Sequence, residues 1–448
     1  DANSSGKIFS MAGNLSFAVG SGSGTAAGGA VSYTQTGAKT YTVADTTYTV
    51  DGQTVVQKGG SMVNRSAGNT ASISNATVNL GSGDVHVAAT NRNDNQSVAA
   101  SGAFSDGNFA FTGTATWNEI GDVTAAQIDN SLITAGKVHV SAGESADGQS
   151  SSIQSLAGGL AASNGFAAAL AFGFNTIESQ RSATVTRSNL IVGDSVSIEA
   201  AAEGSVKTIS ATVAGSAKGN AGAGSSSVNW LNMDVLASYD GAGNSLRGTA
   251  TDLTVRATGS ASIESLAGAV SGGKSNAIGG SIAVNNMGQD GDQFRVRAIL
   301  NNLELIAPVS VSVTSSLAGS IGSIAASGSG AGTAALNGSV TTNAINATVL
   351  AEATLVNQTV SSPGDFAVHA DNSANIASLA GTVSGGGTGA AGVAISVNEI
   401  GETLGLLAPH RCRRLLESGR PRRGEKHLQE VPLSLFHSRP CLHFTINR

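Results

Sequence analysis

One asparagine, always at the end of an alternating apolar run, returns along the chain at a near-constant interval: Asn118, Asn175, Asn229, Asn285, Asn343 and Asn398. Successive gaps are 57, 54, 56, 58 and 55 residues. A second landmark is a short strand: Val85-His86-Val87, Val138-His139-Val140, Val196-Ser197-Ile198, Leu253-Thr254-Val255, Val309-Ser310-Val311 and Phe366-Ala367-Val368. Its gaps are 53, 58, 57, 56 and 57. A third is an Ala-Gly step, at Leu156-Ala157-Gly158, Val213-Ala214-Gly215, Leu266-Ala267-Gly268 and Leu379-Ala380-Gly381. Three landmarks sharing a period of about 56 mean that the chain is an array of one structural unit, each copy burying its apolar side on the next.

Within the unit the hydrophobic period is two. Phe294, Val296, Ala298 and Leu300 alternate with Arg295, Arg297 and Ile299, and Val309, Val311 and Val313 alternate with serines. Ile278, Gly280, Ile282 and Val284 alternate with Gly279, Ser281 and Ala283. Such runs predict strands with one face toward a core, and in each run the larger apolar set is expected inside. Turn-forming clusters such as Asp240–Asn244 and Gly288–Asp292 separate them. The expected fold is therefore all-β: an elongated parallel β-helix, or β-solenoid, over residues 1–401. The period is about twice the 20–29 residues of short strand-containing repeats, which predicts about two coils per repeat. Glycine at 59 of 448 positions and an aromatic content of 4% suit close stacking of small side chains. The asparagine column is read as structural, its amides bonding from coil to coil along the axis.

The first repeat is longer than the others, and its excess lies at Thr36–Gly68. Tyr41-Thr42-Val43 and Tyr48-Thr49-Val50 read as strands and Asp51-Gly52 as a turn, so a β-hairpin excursion is expected there. Tyr41, Tyr48 and Asp51 make it the candidate binding surface, because solenoids place function on such insertions.

Charge divides the chain. Residues 1–401 hold 15 Lys+Arg against 26 Asp+Glu, whereas residues 402–448 hold 9 against 4, together with both cysteines, Cys412 and Cys441. A cysteine-free, acidic body excludes a disulfide scaffold and a basic nucleic-acid footprint. The 402–448 segment breaks the repeat in mid-stride and reads as an aberrant basic tail, out of frame or disordered. Asp1 already lies inside patterned sequence, which predicts a longer parent chain. The apolar stretch Gly158–Ile177 is read as solenoid, not as a membrane span.

The motifs that could carry chemistry are weak. Gly268–Ser275 fits GxxxxGK[ST], but a phosphate loop must open a helix and Asn276–Val284 reads as strand. His86 and His139 share one position, but the next repeats carry Ser197 and Thr254 there, so no metal is expected. Asp290, Asp292, Arg295 and Arg297 form a local charged patch read as a solvated turn. No catalytic residues and no cofactor are expected, and the chain is read as a non-enzyme.

The unit Ser265-Leu-Ala-Gly-Ala-Val-Ser-Gly-Gly273, then Ile282-Ala-Val-Asn285, then Val309-Ser-Val311, resembles the repeats of large secreted bacterial filamentous adhesins and leukotoxins of the autotransporter or two-partner-secretion type. The resemblance covers residues 1–401. It implies an extracellular or outer-surface stalk that attaches to a host-cell or matrix receptor or a glycan. A polysaccharide-active β-helix enzyme and a purely structural spacer are the alternatives.

Overall fold

The computed structural model describes residues 1–405 apart from 20–23, 38–39, 43–45, 51–52, 58–60, 64–67, 144–150, 289–293, 307 and 359–363; within 37–67 and 402–405 it describes the backbone only. Asp1–Leu407 is one compact unit, separate from Ala408–Arg448. The unit is all-β, as the period-two runs require. A twelve-stranded and a nine-stranded sheet face each other, and every pairing between their strands is parallel.

One coil shows the plan. Strand Phe166–Thr186 runs in the nine-stranded sheet, the chain turns at Arg187, strand Asn189–Ser216 returns in the twelve-stranded sheet, and a turn at Ala217–Gly219 leads into Asn220–Asp240 of the next coil. The expected coil count needs correction. Phe109 pairs with Phe166, Phe166 with Asn220, and Ala221 with Ala277, so the partner of each residue lies one sequence period away. Each repeat is therefore one wide coil, not two. The reason is strand length: a strand of 21 residues in the nine-stranded sheet and one of 28 in the twelve-stranded sheet take up nearly the whole period, so a coil is about 70 Å of extended chain across, at roughly 4.8 Å rise per coil.

The asparagine landmark sets the register, and the other two shift against it. Leu253 pairs with Val311 instead of Val309, and Val213-Ala214-Gly215 pairs with Leu160-Ala161-Ala162 instead of Leu156-Ala157-Gly158. Near-identical short Ala/Gly/Val strings allow a slip of two or four residues that leaves the facing pattern unchanged.

Two kinds of turn close the coil. One is a column of left-handed residues: Asn75, Asn130, Arg187, Asn302 and Leu355, with φ between 45° and 53°. Asn130 Nδ2 donates to Asn75 Oδ1 at 2.7 Å, linking successive turns. The other turn is tight against its neighbours. At Gly219 a Cβ would fall 1.9 Å from the carbonyl oxygen of Gly165, so no side chain fits.

The interior has two unequal halves. Toward the left-handed turn lies a conventional core, where Ile177, Val185, Leu231, Met233, Tyr239, Phe294 and Leu300 are fully buried. Toward the glycine turn the filling shrinks to alanine: Ala103, Ala161, Ala167, Ala169, Ala214 and Ala221 form a separate cluster. Serine and threonine hydroxyls complete this half, as where Ser227 and Ser265 hydrogen-bond across the two sheets. The asparagine column runs along the boundary.

Candidate functional site

The asparagines form a continuous ladder, buried from Asn118 to Asn343. Asn118 Nδ2 donates to Asn175 Oδ1 at 2.7 Å, Asn175 to Asn229 at 2.7 Å, Asn229 to Asn285 at 2.7 Å, Asn285 to Asn343 at 2.8 Å and Asn343 to Asn398 at 2.8 Å. Thr34 Oγ1 donates to Asn118 Oδ1 at 2.5 Å at the start. Each amide is both donor and acceptor along the axis, which uses its hydrogen-bonding capacity inside a core. The ladder holds coils together, and of its six asparagines only Asn398, on the last paired strand, reaches solvent.

Tyr41 lies on strand Thr40–Thr42 and Tyr48 on strand Thr46–Val50; Asp51 lies outside the described residues. Thr40–Thr42 pairs antiparallel with Ser61–Val63, and Thr46–Val50 antiparallel with Gln53–Gln57. The excursion is thus two nested antiparallel pairs, standing apart from a fold whose other pairings are parallel. It leaves the nine-stranded sheet after Gly37, which pairs with Gly121, and the sheet resumes at Gly68, which pairs with Val123.

Asp122 sits opposite that gap, and sequence reasoning missed what it does. Arg181 Nη1 and Nη2 donate to its two carboxylate oxygens at 2.8 and 3.0 Å, and both side chains are fully buried. No local signal marks either residue; only the register, which sets them two positions apart on adjacent coils, reveals the pair.

Other flagged residues fall where no chemistry gathers. Gly268–Gly273 ends a strand, Lys274-Ser275 is the turn and Asn276–Met287 is the next strand, so no helix receives a phosphate. The His86 and His139 rings lie 5.6 Å apart on the outer face. Arg295 and Arg297 both bond the Asp234 carboxylate, at 2.7 and 2.8 Å. Asp290 and Asp292 lie outside the described residues, as does nearly all of the 402–448 segment; regular pairing extends to Gly405, opposite Leu350. Among the described residues no group of three His, Cys, Asp or Glu could hold a metal, and no helix is long and apolar enough to cross a membrane.

The face expected for the Ile278–Val284 run is reversed. Ala277, Ala283 and Asn285 point inward, while Ile278 and Ile282 are 58% and 46% exposed. In the thin half of each coil only Ala, Ser, Thr, Gly and Asn fit between the sheets, so the larger side chains stand outside. The same inversion holds on the twelve-stranded sheet, where Leu156, Ile209, Leu266, Ile324 and Leu379 stack as an exposed apolar column. Along it runs an open groove of about 660 Å³ between that column and the neighbouring Lys207–Glu264 positions. Exposed apolar area of this extent marks surfaces that meet other molecules.

No protein-family model matches the chain, and comparison with curated proteins and with solved structures also gave no match.

Proposed function

We propose that this chain is a section of an extracellular or bacterial outer-surface stalk that attaches to a host-cell or matrix receptor or glycan, in the manner of the filamentous adhesins its repeats resemble. The observation that carries the reading is the division of labour in the coil. The interior is a repetitive stack bonded to itself from coil to coil, and outside it the chain displays apolar columns on both flat faces and one long excursion between Gly37 and Gly68. The 401-residue body has no cysteine, so no stray disulfide can obstruct export through an oxidising compartment. Tyr41, Tyr48 and Asp51 on the excursion are the proposed receptor contacts.

The test replaces residues 38–67 by a single alanine and compares binding to host cells, immobilised matrix proteins and glycan arrays. Lower binding by the shortened chain, with its strand signature intact, is the expected result. Undiminished binding would overturn the assignment to the excursion.

A further inference from the structure

We infer that the outer face of the twelve-stranded sheet beside the glycine turn is a contact between two copies of this chain, packed sheet to sheet. This inference stands apart from the receptor reading. Its basis is the relief of that face. Leu156, Ile209, Leu266, Ile324 and Leu379 form one exposed ridge, and Leu160, Val213, Val270 and Val383 form a second, interrupted at Gly328, four residues further along the strands. Between them runs a trough of Gly158, Ala211, Gly268, Ala326 and Gly381, and beyond the second ridge another of Ala162, Gly215, Gly272, Gly330 and Gly385.

The trough glycines are the unexpected part. All lie in regular extended strands, and a Cβ on Gly215, Gly268, Gly272, Gly330, Gly381 or Gly385 would meet nothing within 4 Å. Neither backbone conformation nor any neighbour in the chain asks for glycine there. Glycine weakens a strand relative to alanine, so its recurrence in coil after coil points to close approach from outside.

A second copy fits this relief. Ridges and troughs alternate every two residues, so a copy turned about a two-fold axis that lies in the interface, parallel to the direction of coil stacking and midway between a ridge and a trough, seats its ridges in the first copy's troughs, with side chains interdigitating at the coil spacing as in a dry sheet-to-sheet interface. The ridge side chains leave on the order of 800 Å² accessible, about what each partner of a stable pair buries. Lys207 Nζ and Glu264 Oε2, 3.0 Å apart with both side chains more than half exposed, border this face as an ion pair within one copy.

The experiment is sedimentation equilibrium of the full chain at micromolar concentration, beside the double variant Gly268→Val/Gly381→Val and the control Ile282→Lys on the other sheet. Valine suits an exposed strand position, so the double variant is expected to fold as the parent does, checked by circular dichroism, while its filled trough blocks seating. The parent is expected at twice its 44.1 kDa mass, the control likewise, and the double variant as monomer with dimerisation weakened at least tenfold. A second disruptive variant, Val213→Lys/Val270→Lys, is expected to behave as the double valine variant does. A parent that is monomeric at 100 times that concentration, or trough variants that dimerise like the parent, would overturn the inference. So would a monomeric parent that floats with zwitterionic phosphatidylcholine vesicles while the lysine variant does not, because the face would then meet lipid.

Discussion

Arg181 embraces Asp122 from the next coil, guanidinium to carboxylate, at 2.8 and 3.0 Å with neither side chain reaching solvent. Thr124 Oγ1 accepts a further bond from Arg181 at 2.5 Å, the Asn91 carbonyl another at 3.2 Å, and Ser151 Oγ donates to Asp122 at 3.2 Å. Two and three coils further on, the Asp122 column holds Met233 and Phe294, and the Arg181 column holds Val235 and Val296. The fold therefore fills the same positions with apolar side chains elsewhere. What distinguishes the ionic coil is its neighbour, the sheet interrupted by the excursion at Gly37 and Gly68. A bidentate pair opposite that break fixes the register where the ladder of backbone bonds is discontinuous.

This gives a prediction with a sign. Arg181→Met alone strands a buried carboxylate and is expected to destabilise the surrounding coils by about 3–5 kcal/mol. Asp122→Val/Arg181→Met together replace both charges by apolar side chains of similar volume, in columns that later coils also fill with apolar side chains, and are expected to recover most of that loss. Amide hydrogen exchange in Phe109–Asp129 and Phe166–Thr186 reads the local effect; a double variant as damaged as the single one would contradict the account.

The asparagine ladder predicts a gradient along the stack. Asn229→Ala removes a donor and an acceptor at once: the Thr208 hydroxyl loses its acceptor and Asn285 Oδ1 its donor, at about 1–3 kcal/mol apiece, while Asn175 Nδ2 keeps only its bond to Thr208. Asn398→Ala leaves one ladder group unanswered, that of Asn343. Chemical denaturation followed by exchange is expected to show the larger loss at Asn229, and equal losses would mean that the amides are not coupled along the axis.

Legibility from sequence followed side-chain size. The ladder could be read because its asparagines each end an alternating apolar run, and their spacing equals the coil offset. The thick half was legible too: Phe294, Val296 and Leu300 lie inside as the alternation implied. The thin half was not. The usual assumption that the larger member of an alternating pair faces the core fails where two sheets close on alanine, as at Ala283 beside Ile282. Ile282→Asp is accordingly expected to leave the fold intact, whereas Ala283→Asp places an unpaired charge in the tightest part of the stack and is expected to unfold the adjoining coils. Coil count was illegible because strand length is not written in the period; a 56-residue unit fits two narrow coils or one wide one.

Acid titration separates two surface carboxylates of opposite sign. Hydrogen bonds from Arg187 and Thr186 hold Asp129 below its ordinary value of 3.8. Its contribution is present above that value and is lost as pH falls through the lower folded-state value, so Asp129→Asn is expected to be less stable than the parent at pH 7 and equal to it in strong acid. Glu178 is shifted the other way, by desolvation among its neighbours and by the Glu119 carboxylate. Its ionisation opposes folding once pH passes the raised value. Glu178→Gln is expected to be the more stable protein at pH 7, with no difference well below 4.5. Thermal melts of both variants across pH 3–8 test the pair of signs, and only the charge–charge parts, Arg187 on Asp129 and Glu119 on Glu178, are expected to shrink with added salt.

The excursion is separable from the stack, and the register shows how. Thr34 pairs with Asn118, an offset of 84 residues, whereas Gly68 pairs with Val123, an offset of 55. Only Asp122 lies between the paired residues Gly121 and Val123, so one residue is enough to bridge Gly37 and Gly68 in an extended strand. Replacing residues 38–67 by a single alanine brings the first offset to 55 as well, in line with every later coil. The shortened chain is therefore expected to keep its strand circular dichroism and the exchange protection of strand Thr25–Gly37, with the Asp122–Arg181 pair closed beneath a continuous ladder. A two-residue bridge, by contrast, forces a bulge or a one-residue slip that turns inward-facing positions outward, and is expected to cost protection in that strand. Loss of protection with the one-residue bridge and its retention with two would show that the strand on either side of the gap is not one interrupted line.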